Sequence, residues 1–112
     1  MRNTTQQLLD YLPRTASADS GAIDTSGGNE NMDHSARVFL DVGTPSGTTP
    51  ALNVFVYAVV NGKNYLLFQF AQVTTVASRQ TQRLDNVPKD VLVAWTITGT
   101  TPSFPFEVSI VR

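Results

Sequence analysis

The chain has 112 residues, with 8 basic against 9 acidic side chains. That is room for one ordinary domain, and it lacks the cationic surplus that nucleic-acid binding requires. It contains no cysteine, which excludes disulfide scaffolds, thiolate metal sites and cysteine nucleophiles. Fourteen Thr and 13 Val, with 7 Gly and 6 Pro, favour strands and turns over helices. The longest apolar runs, such as residues 54–60, fall far short of the roughly 18 residues of a membrane helix. Residues 1–7 lack the apolar centre of a signal peptide. The expectation is a soluble chain with neither nucleic acid nor membrane as partner.

In chain order, the first element predicted is a short helix over 4–12. Thr4 and Gln7 have the spacing of a capping box, in which each side chain satisfies the other residue's free backbone N–H. Leu8, Tyr11 and Leu12 then fall on one helical face with Leu9 beside them, and Pro13 ends the run. So short a helix is not stable in isolation, so its apolar face must dock. It either covers its own domain or grips a partner, which makes Leu8, Leu9, Tyr11 and Leu12 candidate contact residues. Residues 15–35 are small and polar and read as an extended linker, with one short strand at 22–24. The segment 1–35 carries two arginines against five acids, a net −3, whereas 36–112 carries six basic residues against four acids, a net +2. Two parts are therefore expected, an N-terminal arm over 1–35 and a folded domain over 36–112.

From Ala36 onward the period is two. Val38, Leu40 and Val42 alternate with outward residues, as do Leu52, Val54, Val56 and Ala58, and then Leu66, Phe68 and Phe70. The same holds for Val91, Val93, Trp95 and Ile97, and for Phe104, Phe106, Val108 and Ile110. Each run is a strand with one apolar face, and 73–77 and 81–84 are shorter candidates. About seven such strands predict an all-β fold, an antiparallel β-sandwich of immunoglobulin-like or jelly-roll-like type. Parity of the turns predicts a hairpin around 99–102, pairing Thr98 with Ser103 and bringing Trp95 opposite Phe106. A two-residue turn at Asn61-Gly62 would place the flanking apolar sets on opposite faces, so an odd-length loop is expected there. Ser46-Gly47-Thr48-Thr49-Pro50 is echoed by Thr98-Gly99-Thr100-Thr101-Pro102, two turns of the same chemistry.

Catalytic chemistry is poorly represented. The single histidine, His34, sits in the polar arm between Asp33 and Ser35, and no G-x-S-x-G motif occurs. Asp19, Asp24, Glu30 and Asp33 do not have the spacing of an EF-hand loop. No catalytic residue, metal ligand or cofactor site is assigned, and the expectation is a non-enzymatic protein. Arg79, Thr81 and Arg83 share a strand face, either a charged edge that blocks further pairing or a contact for an acidic surface. Phe55, Tyr57 and Tyr65, with Leu67 and Leu92, fall on outward positions, and as a group they point to surface covered by a partner or a second subunit.

Three segments carry a family resemblance. They are Leu40-Asp41-Val42 leading to Ser46-Gly47-Thr48-Thr49-Pro50-Ala51-Leu52-Asn53-Val54, then Phe70-Ala71-Gln72-Val73-Thr74, then residues 93–106. In this order they resemble small β-sandwich structural proteins of tailed bacteriophages, which include capsid decoration (cement) proteins. The resemblance spans about 36–111 and leaves the arm outside it. It implies a virion component on the outer capsid surface that stabilises the shell. Its partners would be the major capsid protein and further copies of itself in a homo-oligomer, for instance a trimer. The alternative is a carbohydrate- or receptor-binding module of a phage tail or fibre, with a groove lined by Phe55, Tyr57 and Tyr65.

Overall fold

The computed structural model describes residues 5–25 and 35–112. His34, Asp33, Glu30 and the capping residue Thr4 lie outside the described residues. Eight strands run in chain order: β1 Thr5–Arg14, β2 Ala18–Asp19, β3 Ile23–Asp24, β4 Ala36–Val42, β5 Ser46–Val60, β6 Lys63–Gln69, β7 Ser78–Leu84 and β8 Asp90–Val111. They form one antiparallel sheet curled into a half-barrel, with the order β6-β5-β8-β4-β7 and with β1, β2 and β3 all laid on β8. The all-β antiparallel expectation is met. The two-sheet packing of a sandwich is not established: β8 joins all the strands into one hydrogen-bonded sheet, pairing with β5 along its first part and with β4 and β1 along its later part.

The inward sets behave as period two demands. Val38, Leu40, Val42, Leu52, Val54, Val56, Val91, Val93, Phe104, Phe106, Val108 and Ile110 are all essentially inaccessible. Burial of each such side chain contributes about 1.5–3 kcal/mol. Trp95 meets the Phe106 ring edge-on at 5.7 Å and donates its indole N–H to the Ala16 carbonyl at 2.9 Å. The Arg14 guanidinium lies over both rings, 5.2 and 4.6 Å from their centroids, and donates to the Phe106 carbonyl at 2.8 Å. Burial lowers its pKa from the ordinary arginine value, and Asp10 opposes that shift.

Among the described residues the expected helix over 4–12 is not formed; Thr5–Arg14 is strand β1. Its apolar spacing arises instead from two bulges against β8, between Gln7 and Leu9 and between Leu9 and Leu12. The first bulge turns two consecutive leucines, Leu8 and Leu9, inward together. The open edge of β8 supplies a full backbone ladder, which eight residues of lone helix cannot match. The small polar stretch after it is ordered by the same edge. Ser20 accepts from the Val93 N–H and donates its own N–H to the Val93 carbonyl, while Ser17 accepts from the Ile97 N–H. Thr25 donates to the carbonyls of Pro88 and Lys89. The short strand expected at 22–24 is present as β3.

Two turn assignments are corrected. There is no hairpin at 99–102; β8 continues through these residues, with Thr98 opposite Ala51 and Ser103 opposite Ser46. Trp95 and Phe106 meet because β8 itself bends, not because a loop folds them together. Asn61-Gly62 is a two-residue turn, both residues having positive φ (53° and 73°), with Val60 opposite Lys63. Parity is repaired farther along: Tyr57 faces Leu66 but Val56 faces Phe68, so Leu67 is an extra residue in a bulge. Leu66, expected inward, therefore stands on the outer face. Of the shorter candidates, 81–84 lies in β7, whereas 73–77 contributes only the bridge Leu52–Val73.

The echoed turns are two halves of one crossing. Gly47 and Gly99 have φ of 112° and 123°, and Thr49 and Thr101 share φ of 47°. A Cβ on Gly47 would meet the backbone of Thr100, Thr101 and Pro102; one on Gly99 would meet the backbone of Thr48, Thr49 and Pro50. Each segment packs on the other, as a local two-fold axis requires. In register the relation extends over residues 46–60 and 98–112, carrying β5 onto the later part of β8; β4 corresponds to the first part of β8 in its place beside them, with a one-residue shift that matches inward Val38, Leu40 and Val42 to inward Val91, Val93 and Trp95. Buried Leu52, Val54, Val56 and Ala58 correspond to buried Phe104, Phe106, Val108 and Ile110. β6 on β5 corresponds to β1 on β8, and β7 on β4 corresponds to β2 and β3 on the first part of β8.

Candidate functional site

The outer face of β6, β5 and the first part of β8 carries Phe55 and Tyr57, two of the three aromatic residues singled out from the sequence. Phe55 lies opposite Gln69 on one side and Ala94 on the other; Tyr57 lies between Leu66 and Leu92. The Phe55 and Tyr57 rings are 6.4 Å apart and tilted by 33°. Both are half-buried, Leu66 is 56% exposed, and Leu92 is covered. Next to this apolar strip runs a polar ladder across three strands. Gln69 donates to the Asn53 side-chain carbonyl at 3.3 Å, and Asn53 donates to the Thr96 hydroxyl at 3.4 Å. No charged side chain interrupts these two rows. Tyr65, expected outward, is opposite inward Ala58 and so lies on the other face of the hairpin, because the bulge at Leu67 shifts the parity of β6; near the strand end it is still 54% exposed.

The other predicted contacts separate. Leu8 and Leu9 are part of the chain's own core. Tyr11 and Leu12 are exposed, but they lie on β1, in the half of the sheet built on the later part of β8. Tyr11 leans over Gly43, where a Cβ would collide with its hydroxyl. The seven predicted residues therefore do not form one surface; Phe55 and Tyr57 share the outer face of the β5–β6 hairpin, and Tyr65 lies on its other face. Leu66 completes that surface and was missed by periodicity. Its signal was the unbroken apolar run Tyr65-Leu66-Leu67-Phe68, which violates strict alternation and marks a bulge.

A different chemistry occupies the outer face of β7, β4 and the later part of β8. Glu107 lies directly opposite Asp41, and Asp41 is opposite Arg79, with an Arg79–Asp41 contact of 3.4 Å. Gln7 donates to Glu107 at 3.3 Å. A shallow depression of about 400 Å³ opens here over Phe39, bordered by Arg79, Thr81, Glu107 and Ser109. Among the described residues no group of three or more His, Asp or Glu side chains is placed to hold a metal ion. No nucleophile is hydrogen-bonded to a base in this depression.

No protein-family model and no curated protein matches the chain. Among solved structures it superposes on the SPBc2 prophage-derived protein YomS with a TM-score of 0.56, at 11% identity, over 99% of this chain and 94% of that one. It overlaps a chain of infectious bursal disease virus, Gx strain, with a TM-score of 0.49 at 14% identity, covering 98% of this chain but only 31% of that one. A protein of Bacillus endospore appendages, described as disulfide-linked pili, gives 0.42 at 19% identity, over 99% and 88% of the two chains. The last two scores are too low to assign a fold. The likeness to YomS is one of fold, with a chain of similar length described as prophage-derived.

Proposed function

We propose that this chain is a non-enzymatic structural protein of a phage particle, and that it docks through the outer face of the β5–β6 hairpin. The observation that carries this reading is the contrast between the two halves. At two-fold-equivalent outward positions, Phe55 corresponds to Glu107 and Tyr57 to Ser109. The same backbone setting thus accepts a carboxylate and a small hydroxyl, so folding does not require aromatic rings there. Aromatic surface that is left half-exposed and that folding does not require is the expected signature of a docking face. The phage-type sequence segments and the prophage-derived fold relative support the setting. Capsid decoration at the outer surface of a head, reinforced by many symmetric copies, is the specific role put forward. The test exchanges Phe55→Glu and Tyr57→Ser, the residues the other half already carries. The variant is expected to fold and to be lost from purified particles, with electron microscopy placing the wild type on the head exterior. Full occupancy by the folded variant, or density within a tail, overturns the proposal.

A second reading has its own support. The Gln69–Asn53–Thr96 ladder beside Phe55 and Tyr57 combines amide donors with ring faces, the chemistry of carbohydrate recognition. Saturable binding on a glycan array that Asn53→Ala abolishes would favour a tail or fibre module instead.

A further inference from the structure

The outer face of β7, β4 and the later part of β8 is a patch of three rows, set across the strands by the register of the two ladders. Arg83, Arg37 and Val111 make the first row, Thr81, Phe39 and Ser109 the second, and Arg79, Asp41 and Glu107 the third. The first row holds two positive charges against the neighbouring Asp85, one net positive. The third holds two negative charges against Arg79, one net negative. A charge gradient therefore crosses the face, with an aromatic ring at its midpoint.

Phe39 is 41% exposed because its neighbours across the ladders are a threonine and a serine, too small to cover the ring. The depression over it is the space those short side chains leave open. At the equivalent position of the other half, Leu92 lies beside Tyr57 and is buried. The charged residues already have contacts inside the chain: Asp41 with Arg79 at 3.4 Å, Glu107 with Gln7 at 3.3 Å and Arg83 with Asp85 at 3.2 Å. A carboxylate has about four lone-pair sites, so a further guanidinium adds to these contacts rather than replacing them.

We infer that this face binds its counterpart on a second copy, around a two-fold axis beside Phe39. With the strands of the two copies running in opposite senses, the basic row of each lies over the acidic row of the other. Arg37 and Arg83 then meet Asp41 and Glu107 of the other copy, and symmetry makes the same contact twice. The two Phe39 rings meet between these charge pairs, each filling the depression of the other copy. An aromatic centre inside a charged rim is the usual anatomy of such a contact. Being isologous, it closes at two copies, so the product is a dimer and not a chain. It uses neither Phe55 nor Tyr57, and it stands or falls separately from the docking face above.

The test is analytical ultracentrifugation of the full chain. The wild type is expected to be a dimer whose dissociation constant rises between about 0.05 and 0.5 M salt, as the charges across the contact are screened. Phe39→Thr is expected to raise that constant roughly tenfold or more. Arg37→Glu with Arg83→Glu leaves the face acidic at both ends, and Asp41→Lys with Glu107→Lys leaves it basic at both ends. Each double variant alone is expected to be monomeric, and an equimolar mixture of the two to dimerise. A wild type still monomeric at about 1 mM overturns the inference. So does a dimer indifferent to Phe39→Thr, a mixture of the charge variants that stays monomeric, or a dimer lost instead on exchanging Phe55→Glu with Tyr57→Ser. Should either charge variant fail to fold, the wild-type salt series and Phe39→Thr decide: a dimer unchanged by either one overturns it.

Discussion

Gly47 and Gly99 are the positions where one side-chain carbon does the most damage. Both have left-handed φ, and at both an added Cβ would sit about 2.8–3.0 Å from the opposing backbone. Backbone at such a crossing cannot move aside without breaking the β5–β8 ladder. Gly47→Ala and Gly99→Ala are each expected to cost roughly 2 kcal/mol or more, read from the urea denaturation midpoint. Gly62 also has a positive φ, 73°, but open space around it, so the cost of Gly62→Ala should be smaller, about 1 kcal/mol. Trp95 shows a residue whose inward placement the sequence reveals but whose polar partner it does not. Its parity marks it as core, while the Ala16 carbonyl that accepts its N–H comes from a segment with no apolar pattern at all. Trp95→Phe should cost about 1 kcal/mol for that bond, beyond the loss of packing, in the same measurement.

At the scale of elements, β1 and β6 show how a bulge disguises a strand. Leu8, Leu9 and Leu12 repeat at helical spacing only because two bulges advance the ladder, and no local rule separates that pattern from a short amphipathic helix. The choice was made by β8, whose edge offered a ladder and whose underside had room for two leucines. Removing residues 1–13 therefore acts on folding before it acts on binding. Leu8→Ala and Leu9→Ala should each destabilise by about 2–5 kcal/mol, checked by thermal melting and by loss of amide protection along 104–111. In β6 the surplus residue is one of two adjacent leucines. Deleting one leaves Tyr57 opposite a leucine and Val56 opposite the phenylalanine, so the inward set survives without the bulge. That deletion should change stability by no more than about 1 kcal/mol, whereas Phe70→Ala, in the core, should cost about 3–5 kcal/mol.

Over the whole molecule, the two-fold relation says that β1 occupies beside β8 the place that β6 occupies beside β5. β6 reaches its place by a tight turn, and β1 reaches its place from the other end of the sequence, with Thr5 opposite Val111. A permuted chain that runs from Val111 through residue 112 and residues 1–4 into Thr5 would have a five-residue hairpin loop, within the usual range of about 2–5. Opened between Asn61 and Gly62, it should fold to the same far-ultraviolet circular dichroism spectrum and keep a cooperative urea transition. Failure to fold would show that the entry of β1 is not equivalent to a hairpin arm.

Alternation along the chain was enough to place the inward side chains of β4, β5 and β8, because a pleated strand puts alternate residues on opposite sides wherever it pairs; only the bulge in β6 reversed it, at Tyr65 and Leu66. The sequence by itself also determined the all-β class, through β-branched composition and the scarcity of helical pattern. Which strands pair, and in what register, was decided only in the tertiary structure. Gly99 and Pro102 read locally as a turn, yet the matching Gly47–Pro50 segment packs against them and keeps β8 extended through the crossing. The same holds for the arm, whose small hydroxyl residues bury little and acquire order from the unpaired N–H and C=O groups of a strand some 70 residues away. Period two is a property of one strand and survives in the sequence. Partner choice is a property of two, and it is settled where both backbones can meet without leaving a polar group unpaired.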